Sequence, residues 1–158
     1  MDMHNKIDQA IATLQNADAK SFLRDGGGEI SMKVAASQLA KNNYPPLPED
    51  YDILLRKAFG ITGPYFTLLK MGGMETAGGG LQPGIIETSD AFNKWNDEDE
   101  QKIFVFGLLS GGALLIHRDG KYHVIDESSH DVFMTYDDIA DFIIDTVTRK
   151  DAAIRALP

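Results

Sequence analysis

Ile7, Ala10, Ile11 and Leu14 recur at spacings of three and four, which predicts an amphipathic helix over residues 3–16 with Asp2 as its cap. Gly26, Gly27 and Gly28 interrupt that period, so residues 18–30 read as a loop. Ser31 then caps a second helix running through Asn42. Tyr44-Pro45-Pro46-Leu47-Pro48 reads as a stiff, extended connector, because each proline disfavours the helical conformation in the residue before it. Pro48 suits the first turn of a third helix, where its missing N–H costs nothing, and Tyr51, Leu54, Leu55 and Ala58 form that helix's apolar face.

Beyond Gly60 the apolar runs shorten. Tyr65–Lys70 predicts a strand, Met71–Gly84 a glycine-rich loop, and Ile85–Glu87 a second short strand. Thr88 caps a helix to about Asn96 with Ala91, Phe92 and Trp95 on one side. Lys102–Leu109, Gly112–Arg118 and Lys121–Asp126 predict three strands, the last two joined by an Asp119-Gly120 hairpin turn. Thr135, with Asp138 three residues on, opens a last helix to about Arg149 whose apolar face is Tyr136, Ile139, Ala140, Ile143 and Val147. No internal repeat or boundary divides the chain. The expected architecture is a single α+β domain over 1–158, with N-terminal helices (1–46), a central antiparallel or mixed sheet meander and a closing C-terminal helix (core 47–149).

Composition narrows the chemistry. The chain has 158 residues and no cysteine, which removes disulfides, thiolate nucleophiles and cysteine-ligated metals. It carries 15 Lys+Arg against 24 Asp+Glu, a net charge of −9, which argues against direct grip on nucleic-acid phosphates. The excess is local: residues 87–145 hold 14 acids and 4 bases. Residues 1–15 mix charged and apolar positions, so no signal peptide is expected. The longest apolar runs, Phe104–Leu109 and Ala113–Ile116, are too short to span a bilayer, and the chain reads as cytoplasmic.

Candidate chemistry is sparse. Gly72–Gly80 lacks the Lys-Ser/Thr that a phosphate loop needs, so a surface loop is the plainer reading and a binding loop the alternative. Ser110-Gly111-Gly112 lacks the glycine that a nucleophile elbow places two residues before its serine, and a strand follows it. With a two-residue Asp119-Gly120 loop, His117 pairs with Tyr122 and His123 with Ile116. The two imidazoles then face opposite ways and cannot share a metal; a three-residue loop would bring them together, but Asp-Gly fits the shorter one. The consecutive acids Asp97, Glu98, Asp99 and Glu100 lack the alternation and central glycine of a calcium loop. Asp137, Asp141 and Asp145 fall at i, i+4 and i+8 of the predicted last helix, away from its apolar face. Both acidic groups read either as solvated faces or as a surface matched to a basic partner.

Three stretches resemble the SUKH superfamily, a group of small bacterial immunity proteins that also includes fungal cell-wall-assembly regulators. The first is Leu47-Pro48-Glu49-Asp50-Tyr51 with Leu54-Leu55, similar to the family's Leu-Pro helix opening. The second is Phe104-Val105-Phe106-Gly107, Gly111-Gly112, Leu114-Leu115-Ile116 and Asp119-Gly120 through Val124-Ile125-Asp126, similar to its strand meander. The third is Tyr136-Asp137-Asp138-Ile139-Ala140-Asp141-Phe142-Ile143, similar to its closing helix. Phe59-Gly60 stands where the family commonly has Asn-Gly. The resemblance implies a non-enzymatic protein that neutralises a cognate toxin, a nuclease being the class whose basic cleft an acidic surface would cap. It transfers no catalytic residue, metal or cofactor. The expected contacts are Trp95 as an aromatic anchor, Asp97–Glu100, and Asp137, Asp141 and Asp145. The competing expectation is a small-ligand or regulatory module using the 71–84 loop. An enzyme ranks last, because no nucleophile–base pair or metal triad has recognisable spacing.

Overall fold

The computed structural model describes residues 2–17, 22–62, 66–71, 74–75, 81–82, 84–94 and 101–148. In chain order these form α1 (Met3–Ala17), β1 (Phe22–Asp25), α2 (Glu29–Lys41), α3 (Glu49–Lys57), β2 (Ala58–Thr62), β3 (Phe66–Leu68), β4 (Met74–Glu75), β5 (Leu81–Gln82), α4 (Ile85–Asn93), β6 (Phe104–Leu109), β7 (Ala113–Arg118), β8 (Lys121–Asp126), β9 (Val132–Tyr136) and α5 (Ile139–Thr148). The fold is α+β. One sheet has the order β1-β2-β3-β6-β7-β8-β9 with every neighbouring pair antiparallel; β4 and β5 make a separate small ribbon. Among the described residues no helix is long and apolar enough to cross a membrane.

Both faces of the central strands are covered, which explains why β6 and β7 are apolar runs rather than alternating ones. On one face Phe104, Phe106, Leu115, Tyr122 and Val124 join Ile7 and Leu14 of α1, Tyr51 and Leu54 of α3, and Ile139, Phe142 and Ile143 of α5. On the other, Val105, Leu114, Ile116 and Ile125 pack against Phe92 of α4. Rings are stacked from Tyr44 to Phe104 (5.5 Å), Phe104 to Phe106 (4.9 Å) and Phe106 to Tyr51 (3.9 Å). Phe106 sits at a bulge in the β6–β7 ladder, and its carbonyl accepts instead from Leu69 N–H at 2.8 Å, with the Tyr51 hydroxyl 3.2 Å away.

Several predicted elements hold. Asp2 caps α1 by accepting from Asn5 N–H at 2.8 Å. The β7–β8 hairpin has a two-residue turn with both residues at positive φ (Asp119 56°, Gly120 76°), and it pairs His117 with Tyr122 and Ile116 with His123. Others need correction. The expected 18–30 loop contains β1, because its short apolar segment pairs with β2. The second helix starts at Glu29 after Gly28, not at Ser31. The third helix ends at Lys57, so Ala58 belongs to β2.

The expected 71–84 loop includes β4 and β5. Ile85–Glu87 opens α4 rather than forming a strand; Ile85 is buried and its N–H donates to Lys70 O at 2.9 Å. Thr88 lies inside α4 with a buried hydroxyl that has no hydrogen-bond partner among the described residues, so it is no cap. Thr135 and Tyr136 belong to β9, and the last helix begins at Ile139. Asp138 is its cap, accepting from Asp141 N–H at 2.8 Å.

The glycine loop before α2 is shaped by close approach to α3. A Cβ at Gly26 would lie 1.9 Å from Arg56 O, whereas one at Gly28 meets nothing within 4 Å. Gly26→Ala is therefore expected to cost about 2–3 kcal/mol in urea unfolding and Gly28→Ala less than about 1 kcal/mol. Equal costs would contradict this reading of the loop.

Candidate functional site

The carboxylates expected as a helical stripe surround the junction of β9 and α5, but not as one stripe. Asp137 lies in the bend before the helix, so only Asp141 and Asp145 lie on α5. Each of the three is engaged. Asp137 Oδ1 receives Lys121 Nζ at 2.5 Å, which holds its carboxyl below the usual carboxylate range. Asp141 Oδ1 receives Lys6 Nζ at 2.9 Å, and Asp145 Oδ2 accepts from the Tyr136 hydroxyl at 2.6 Å. Lys6 also binds Asp138, and the hydrogen bond to Asp138, followed by that to Asp141, raises the lysine above its ordinary value. Among the described residues the junction thus brings together the carboxylates of Asp137, Asp138, Asp141 and Asp145 and the ammonium groups of Lys6 and Lys121. Thr135, Tyr136, Ile144 and Thr148 complete the wall of an open depression there.

The strand that leads into this acidic junction begins with exposed apolar side chains. Val132 and Phe133 of β9 are 47% and 37% exposed. The sequence reading missed them because it continued the last helix's three-and-four spacing back through Tyr136. The run Val132-Phe133-Met134-Thr135-Tyr136 does carry the β-branched and aromatic signal of a strand. Trp95, Asp97, Glu98, Asp99 and Glu100, the other expected contacts, lie outside the described residues.

A second concavity, a cleft of about 430 Å³, opens where the proline connector passes the β7–β8 turn. Pro45, Pro46, Pro48 and Phe104 form apolar parts of its lining, and Lys102, His117 and Arg118 contribute to the rest. Lys102 Nζ donates to Asn42 O at 2.8 Å and lies 4.7 Å from the centre of the Tyr44 ring. His117 is half-buried, edge-on to Tyr122 at 4.8 Å. His123 leaves from the opposite face and lies 2.9 Å, Nδ1 to Oγ1, from Thr135. His130 stacks on Phe92 at 4.8 Å, and His4 is exposed on α1. Among the described residues no group of three His, Asp or Glu is placed to hold a metal ion. Ser110 occupies a strand-to-strand turn with Gly111 and Gly112 at positive φ.

No family model matches the chain, and no curated protein or solved structure matches it significantly.

Burial pushes the His117 imidazole below its ordinary 6.5, against the pull of Asp50 and with a smaller push from His123. On acidification the unfolded chain takes up this proton first. Stability is therefore full above the unfolded value and falls as the pH drops from it toward the folded one. In urea unfolding across this range, the wild type should lose more stability than His117→Gln. Identical pH dependences would contradict a proton excluded by burial.

Proposed function

We propose that the protein is a non-enzymatic, protein-binding immunity protein that acts in the cytoplasm and neutralises a cognate toxin by docking a basic surface against its β9/α5 face. The observation that carries this reading is that β9 begins with exposed Val132 and Phe133 and runs at its other end into the carboxylates of the β9/α5 junction. Protein interfaces combine apolar contact, which holds the complex, with charge, which selects and steers the partner. The charge map agrees, since residues 87–145 carry the chain's entire acidic excess. The SUKH resemblance supplies the toxin, and a nuclease, whose cleft is basic because it binds phosphates, is the class that an acidic cap suits.

The test is calorimetric titration with the toxin encoded beside this gene, at low and high salt. Binding should weaken as salt rises, and the combined Asp137→Asn, Asp141→Asn and Asp145→Asn variant should bind roughly tenfold or more weakly, mainly through slower association. Salt-independent binding that survives all three substitutions would remove the electrostatic part. Absence of binding would remove the reading.

The cleft between the proline connector and the β7–β8 turn favours a second reading, a small-ligand or regulatory module. The 71–84 loop first considered for that role lies mostly outside the described residues. A thermal-shift screen with nucleotides and metal ions separates the two readings. A clear shift together with no toxin binding would favour the module.

A further inference from the structure

Alternate residues of a strand share a face of the sheet. Phe104 pairs with His117 across β6 and β7 and lies on the face that meets α1, α3 and α5, whereas Ile103 packs on the opposite face with Val105. Lys102, two residues before Phe104, therefore belongs to the same face as Phe104 and His117. All three line the cleft that Pro45, Pro46 and Pro48 close from the other side. We propose that this cleft binds a small organic carboxylate, its anionic group shared by Lys102 and His117 and its apolar body laid against the prolines. The proposal rests on the small-ligand reading of the cleft and is independent of the immunity reading.

Both polar groups have capacity left for a ligand. An ammonium carries three donors. Lys102 gives one to Asn42 O at 2.8 Å. Asp90 stands 3.9 Å from Lys102 Nζ, too far for a hydrogen bond, and its Oδ1 already accepts from the Tyr44 hydroxyl at 2.7 Å. The His117 ring is half-buried and edge-on to Tyr122, yet neither of its nitrogens has a hydrogen-bond partner among the described residues. A donor withdrawn from water without a partner is costly, and a ligand oxygen would satisfy it. The cleft, at about 430 Å³, has the size of a small-molecule site and the usual make-up of one, apolar walls with a few polar groups.

Charge selects the anion. Burial holds the His117 imidazole below its ordinary 6.5, so near pH 7 it is uncharged and gives a single N–H. Arg118 also lines the cleft, but alternation starts its side chain from the face opposite His117. On the ligand's face one ammonium is thus set against Asp90 nearby and Asp119 at the turn, in a chain of net charge −9. That balance suits a monoanion. A phosphate monoester, with about −1.5 to −2 charges near pH 7, calls for more cations than this.

The experiment is an amide NMR titration of the isotopically labelled full chain with three probes that share one ring system. These are 2-naphthoate, its neutral amide 2-naphthamide, and 2-naphthyl phosphate. With 2-naphthoate, shift changes should centre on residues 101–104 and 117–120, and its affinity should exceed that of the other two by about tenfold or more. Lys102→Met should weaken 2-naphthoate binding about tenfold and His117→Phe about fivefold, with the amide's weaker binding unchanged. An unchanged spectrum away from the cleft checks that each variant folds. The comparison of carboxylate with amide on the unsubstituted chain stands without them.

The proposal is overturned by no response to 2-naphthoate at about 10 mM, by an equal response to the amide, or by tighter binding of the phosphate. Shifts centred away from the cleft, or full binding by both variants, would also overturn it. If the amide or the phosphate binds in the cleft while 2-naphthoate does not, the carboxylate assignment fails and the small-ligand reading stands. If none of the three binds and the thermal-shift screen is silent too, both fail together.

Discussion

One buried carboxylate holds three parts of this molecule in register. Asp50, in the first turn of α3, accepts from the Tyr122 hydroxyl of β8 at 2.9 Å and from the N–H of Ile139, the first residue of α5, at 2.8 Å. A buried charge is tolerated only when its lone pairs are used, and here one is used by the sheet and another by the end of a helix that favours negative charge. Next to it Asp138 caps α5 and binds Lys6 of α1. The two aspartates tie α1, α3, β8 and α5 together, and burial accordingly raises the Tyr122 phenol well above its ordinary value, with Asp50 adding to the effect.

That anchor sets the geometry of the proposed interface. α5 starts at Ile139 because its first N–H is held by Asp50, so Asp137 and Asp138 form the bend and β9 ends just before it. Asp141 and Asp145 are thereby carried alongside the edge strand rather than on a remote helix face. Their pairing with Lys6 and Tyr136 changes what the acidic surface is. It is an arrangement of fixed carboxylates with part of its charge already balanced, better suited to selecting and orienting a partner than to supplying long-range attraction alone.

Features carried by neighbouring residues were legible in the sequence. The α1 face and its Asp2 cap, the extended proline connector and the register of the Asp119-Gly120 hairpin each follow from local period or turn chemistry. The α+β class follows from the order of these elements. Features decided by distant residues were not legible. Ile85-Ile86 has a strand's side chains but begins a helix, its first N–H held by Lys70 O. Tyr136 fits the helical spacing of Ile139 and Ile143, yet its backbone pairs with Tyr122. Acidic residues around the closing helix could be read from spacing. Their partners, one of them more than a hundred residues away at Lys6, could not, and β9 with its exposed Val132 and Phe133 was hidden by the same misplaced helix start.

The most direct measurement is a double-mutant cycle on Asp50 and Tyr122, read by urea unfolding. Asp50→Ala leaves the Tyr122 hydroxyl and the Ile139 N–H without their acceptor and should cost about 3 kcal/mol, against about 1.5 kcal/mol for Tyr122→Phe. If the buried carboxylate is the joint between sheet and closing helix, the double variant should lose less than the sum of the two by at least about 1 kcal/mol. Losses that add to within about 0.3 kcal/mol would show that the two groups act independently and would contradict that role.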